Sequence, residues 1–168
     1  MTTTCNLTGT ALAGSIRFLM NMAKPLVSDI DAQRFSDSCD TTINHPAFVL
    51  GHCAYYVGYC MQMLGSDIEL PDSHTDLYQH GAECMHMHDG YDDKESAIAH
   101  FMERLETAAS FVEGLDDSVF ARSTEGTFFE DRMPNMATVA NFMMVAHVTF
   151  HLGQVSGWRR VAGYGAAG

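Results

Sequence analysis

The run MPNMATVANFMMVAHVTFHLGQVSGW, residues 133–158, contains no Asp, Glu, Lys or Arg, yet it carries two histidines. Pro134-Asn135 suit a helix start, and the pattern predicts a helix that extends to about Arg160, before Gly163. Within it, His147-Val-Thr-Phe-His151-Leu-Gly-Gln154 places two imidazoles four residues apart, on one helical face and one turn from each other. Such a pair can chelate a single ion. A second uncharged run, TTINHPAFVLGHCAYYVGYCMQMLGS at residues 41–66, offers His52 as the third ligand. A segment that excludes charge but keeps histidine is either a buried helix that tolerates one polar side chain or the wall of a metal site.

A His-x3-His pair is weak evidence alone. Its helical setting, the absence of charge around it and the second uncharged helix with His52 all add weight. Buried neutral imidazoles otherwise need separate hydrogen-bond partners, whereas one shared ion satisfies all three. Core histidines without metal are the competing reading. Tyr56 lies one turn beyond His52 and can reach the site as a hydrogen-bond donor. Gln154 lies three residues after His151 and can orient its ring or a bound water. His45 is two turns from His52, roughly 10 Å along the axis, too far to share its ion; it starts the helix or lines the mouth of the site. Cys53 and Cys60 read as small buried hydrophobes.

The rest of the chain reads as all-α. A first helix takes Leu12, Ile16, Leu19, Leu26 and Ile30 on one face, with Thr8 or Thr10 as cap and Pro25 as a kink or break. The second runs from an Asn44 cap, with Pro46 in its first turn, to about Leu64 and a Gly65 stop. The third opens after Tyr91-Asp92-Asp93 and reaches about Leu115, with Phe101, Leu105, Ala108 and Val112 inward. Between helices two and three lies a long loop, Ser66–Asp92, and Asp116–Met133 is irregular. The expected architecture is a single domain, residues 1–168, folded as a four-helix bundle with one site between helices. In the loop, Cys84-Met-His86-Met-His88, with His80 upstream, offers alternating ligands that converge if extended. A solvated or site-covering loop is the favoured reading over a second metal centre, and His74 and His100 have no evident partners.

The 168 residues carry a formal net charge of −12 and only nine Lys and Arg, without a basic stripe. That balance argues against nucleic acid and anionic membrane surfaces. Asn44, His45, His52, Gln62, Asn141, His147, His151 and Gln154 make bilayer insertion of the uncharged runs costly, so no membrane span is expected. The segment MTTTC at the N-terminus has neither a basic nor an apolar signal region. Five cysteines without tight spacing do not make a disulfide framework, and a cytoplasmic setting is expected. The 12 methionines read as adaptable core filler rather than copper ligands.

Leu50-Gly51-His52, followed downstream by His147-x3-His151-x-Gly153-Gln154, resembles the DinB/YfiT-like family of candidate metalloenzymes. The loop around Tyr78-Gln79-His80-Gly81-Ala82-Glu83-Cys84 and the tail Gly153-Gln154-x3-Trp158-Arg159-Arg160 extend the resemblance over nearly the whole chain. His45-Pro46 at the start of helix two and Cys53 beside the ligand depart from it. The resemblance implies a four-helix bundle of uncommon helix order, often a homodimer. It also implies a three-histidine divalent site at His52, His147 and His151 with open positions, and reactions that include transfer to or from low-molecular-weight thiols.

Three neutral imidazoles leave a divalent charge uncompensated, because neither ligand helix has a carboxylate. Such a centre lowers the pKa of bound water and attracts an anionic group such as a thiolate or a substrate carboxylate. Zinc, nickel, iron and manganese all suit the ligand set. Glu83, Glu103 and Asp67 are candidate general bases. The expected activity is a metal-dependent transferase acting on a small-molecule substrate with a low-molecular-weight thiol. A metal-dependent hydrolase and a non-catalytic metal- or haem-binding bundle are the alternatives.

Overall fold

A computed structural model describes residues 6–167; the N-terminal segment MTTTC read above lies outside them. Among the described residues the chain is all-helical, with no strand. The helices are α1 (Leu7–Val27), α2 (Pro46–Leu64), α3 (Asp72–Tyr78), α4 (Lys94–Glu113), α5 (Asp117–Phe120), α6 (Met136–Asn141) and α7 (His147–Val161). A π-helical segment, Phe142–Ala146, joins α6 to α7 without a break.

Helix α1 packs on α4 and α7, and α2 packs on α4 and α7, so the long helices enclose one core. Ile16, Leu50, Val57, Phe101, Leu105, Val148 and Trp158 are all buried in it. A Cβ on Gly9 would overlap the backbone carbonyl of Val112, so glycine is what allows α1 to lie this close to the end of α4. The C-terminal end is tied back by two buried polar side chains. Trp158 Nε1–H donates to the Asp37 carbonyl at 2.7 Å. The guanidinium of Arg159, 1% exposed, is paired with the Asp29 carboxylate and donates to the Leu26 carbonyl at 3.0 Å. That pairing holds the Asp29 carboxyl below its ordinary range.

Several boundaries differ from the sequence expectation. Helix α1 begins at Leu7, which puts Thr8 and Thr10 inside it, and it passes through Pro25 to end at Val27. Pro25 costs the helix one bond to the carbonyl four residues back, but only two helical residues follow it, and Ile30 is buried beyond the helix end. The cap of α2 is His45, not Asn44: His45 Nδ1 accepts from the Phe48 N–H at 3.1 Å. Pro46 at the first helical position and Gly65 in the left-handed conformation (φ 105°) close the helix as expected. The loop at 66–92 contains α3, and α5 interrupts the segment read as irregular. No helix of the described residues is long and apolar enough to cross a membrane.

Candidate metal centre

His52 projects from α2, and His147 and His151 from the first two turns of α7, where the α2–α7 contact brings the three rings together. His147 Nε2 lies 3.2 Å from His52 Nε2 and 3.1 Å from His151 Nε2. Two imidazole nitrogens on one divalent ion, each about 2.1 Å from it at roughly right-angled or tetrahedral positions, are separated by about 3.0–3.4 Å. The observed spacing falls in that interval.

The tautomers follow from the partners. His52 Nδ1 is 2.7 Å from the Tyr78 carbonyl, which can only accept, so Nδ1 carries the proton and Nε2 presents a lone pair. His151 Nδ1 is 2.9 Å from Gln154 Oε1, which also accepts from Asn44 Nδ2 at 3.1 Å. The bond from Asn44 fixes the Gln154 amide with its oxygen toward His151, and the His151 Nε2 lone pair therefore faces the centre as well. His147 Nδ1 is buried without a hydrogen-bond partner among the described residues. A proton on His147 Nε2 would serve the other two rings only as a forked donor; His147 Nδ1 is unpaired in either tautomer. One cation satisfies all three Nε2 lone pairs at once.

Burial, reinforced by the neighbouring histidines, lowers the pKa of His52 to about 4 and of His147 to about 3. Burial also depresses His151, partly offset by its bond to Gln154. All three are neutral ligands at neutral pH. Burial and the neighbouring histidines, not a carboxylate, dominate the shifts of the three rings.

Aromatic side chains build the walls. Phe48 stacks on His52 at 5.5 Å between ring centroids, and the Tyr56 ring lies 4.9 Å from His52 and 5.3 Å from His147. The Tyr56 hydroxyl accepts from the His80 N–H at 2.7 Å, which leaves its own proton to donate, and burial raises its pKa. Phe142 and Phe150, both exposed, flank His147 and His151. A π-helical segment immediately before His147 was not legible in the sequence; such segments carry one extra residue per turn and re-aim the side chains that follow. A cavity of about 730 Å³ lined by Gln62, Ser66 and Asp72 includes none of the three histidines.

The residues of the loop do not converge. His86 Nδ1 contacts Ser38, His88 Nδ1 accepts from the Gly90 N–H, and Cys84, His86 and His88 form no ligand group. The loop instead contacts the site: Tyr78 holds His52, His80 holds Tyr56, and the Met85 carbonyl takes the Nε2 proton of buried His45. His45 thus caps α2 and does not line the mouth. Cys53 and Cys60 are fully buried, which pushes the Cys60 thiol up to about 12 and the Cys53 thiol higher; Cys84 rises to about 11. None is a ready thiolate.

Fold and site together define an all-helical protein with a buried three-histidine group able to hold a metal ion. No protein-family model, curated protein or solved structure matches the chain.

Two predictions arise here. Gln154→Leu removes the oxygen that orients His151, and zinc affinity should fall about 10- to 100-fold with little change in fold, as read by calorimetric titration. Unchanged affinity would show that Gln154 does not position the ring. The second concerns acid. In the metal-free protein, histidine at ordinary pKa 6.5 in the unfolded chain is depressed in the folded one, so the unfolded state binds more protons between the two values. Stability is full above pH 6.5 and declines as pH falls toward 4 and then 3. His52 alone contributes a loss on the order of 3 kcal/mol, and His45, also lowered by burial, adds to it. Urea unfolding at pH 7.5, 5.5 and 4.5 measures this, and a flat profile would contradict it.

Proposed function

We propose that this chain is a metal-dependent enzyme of the DinB/YfiT-like kind, with α1, α2, α4 and α6–α7 as its four-helix bundle. In this reading His52, His147 and His151 hold a divalent ion, and the reaction transfers a low-molecular-weight thiol to or from a small electrophilic substrate. The observation that carries it is the convergence of three Nε2 atoms, two of them with tautomers fixed by outer hydrogen bonds. A structural site fills its coordination with protein ligands; three histidines leave positions for substrate.

When bound, a divalent ion supplies Lewis acidity that favours the deprotonated form of a thiol or water beside it. The chain's own residues do the rest. Tyr78 and Gln154 keep the His52 and His151 rings aimed at the centre. Tyr56 stays protonated at neutral pH and donates to an anionic group bound there. Phe142 and Phe150 give apolar parts of a substrate a surface. Burial raises the pKa of all four described cysteines, Cys39, Cys53, Cys60 and Cys84, which favours a thiol brought in from solution over a protein nucleophile. The family resemblance adds a homodimer, which sedimentation velocity tests directly.

The test is an assay of metal-loaded protein against small electrophiles, with glutathione and cysteine as probe thiols and 4-nitrophenyl acetate as probe ester. Metal-dependent thiol consumption that disappears in His147→Ala supports the transferase. Ester hydrolysis without thiol replaces it with the hydrolase, and no turnover of either kind leaves a metal-binding bundle.

A further inference from the structure

A second group of candidate ligands assembles between α3 and the start of α4. His74 on α3, Asp92 just before α4, and His100 on α4 bring their ligating atoms within 4.8 Å of one another. The two imidazole rings are 5.2 Å apart, centroid to centroid, and the three side chains make no hydrogen bond among the described residues. Donors sharing one ion are about 3.0–4.2 Å apart according to their positions, so side-chain rotation must draw the three together to hold a cation. His74 and His100 are half-buried and Asp92 is exposed, which leaves the group open to ions from solution. Arg104, one turn beyond His100, brings a positive charge nearby, and Asp92 offsets it with the carboxylate that the three-histidine centre lacks.

We propose that His74, Asp92 and His100 form a second divalent transition-metal site that clamps α3 to the start of α4. Two imidazoles and one carboxylate, with remaining positions for water, suit zinc, cobalt and ferrous iron. The clamp bears on the first centre through Tyr78. The Tyr78 ring packs on His74 at 5.6 Å between centroids, and its carbonyl holds His52. An ion at the second site therefore steadies the residue that orients a ligand at the first. The proposal stands whether or not the three-histidine group binds metal.

The experiment is a titration of the full chain with cobalt(II) and then zinc, by calorimetry and by the visible cobalt bands. In His147→Ala/His151→Ala, which disables the first centre, about one equivalent should still bind, with d–d absorption from nitrogen and oxygen ligands. Adding His74→Ala or His100→Ala should abolish it, and Asp92→Asn should weaken it at least about tenfold. If the double variant does not give a folded circular-dichroism spectrum, the same titration compares wild type with His74→Ala/His100→Ala, whose half-exposed side chains tolerate truncation; one equivalent should be lost. Binding weaker than about 0.1 mM, or stoichiometry indifferent to His74, Asp92 and His100, would overturn the site.

Discussion

Gly51→Ala should destabilise the protein by about 3 kcal/mol and weaken metal binding at the three-histidine centre about 10- to 100-fold. Both effects have one cause. A Cβ at position 51 would overlap the ring of Tyr78, which is 2% exposed and packed between Phe48 and Tyr91. The ring has no free space to enter, so α3 must shift, and the Tyr78 carbonyl then leaves His52 Nδ1. Overpacking of this kind is relieved by a smaller partner: Gly51→Ala/Tyr78→Leu should be less destabilised than the sum of its single variants. Thermal unfolding and zinc titration of the three variants give the answer. A Gly51→Ala protein with wild-type affinity would separate Tyr78 from the centre.

Saturating zinc should raise the unfolding temperature by about 10 °C, and chelation should reverse it. An ion that binds only the folded chain stabilises it by about 4 kcal/mol at a thousandfold excess over its Kd. For a chain of this size, that corresponds to a shift of this order. His151→Ala should remove most of the increment, because the remaining pair, His52 and His147, comes from two different helices and loses the one-turn chelate. An increment that survives His151→Ala intact would place the stabilising ion elsewhere, with His74, Asp92 and His100 as the first alternative.

The three histidines of the candidate site were legible because the signals are local: two helices without charge, one His-x3-His spacing, and one histidine in the partner helix. The helix spans of α2 and α4 were legible for the same reason, since Pro46, Gly65 and Asp93 mark their ends. Gln154 was legible as an orienting residue through its spacing of three from His151. Its own support was not, because Asn44 lies 110 positions away in sequence and looks like a cap. The cap fell to His45 one residue later, where a buried imidazole accepts from Phe48 and donates to the Met85 carbonyl. Helix α3 is too short to show a helical period; burial of Tyr78 against Gly51 is what holds it. The π segment has no evident residue signature. His74 and His100 read as without partners and Asp92 only as part of a helix start, and only the return of the chain from α3 to α4 makes the three neighbours.

The most direct test of the account is the metal content of wild type and His147→Ala, each purified without an affinity tag and measured by elemental analysis against chain concentration. The account predicts that the variant holds one divalent ion fewer per chain than the wild type. Equal content in both proteins, or no metal in the wild type after supplementation with zinc, nickel, iron and manganese, would contradict it.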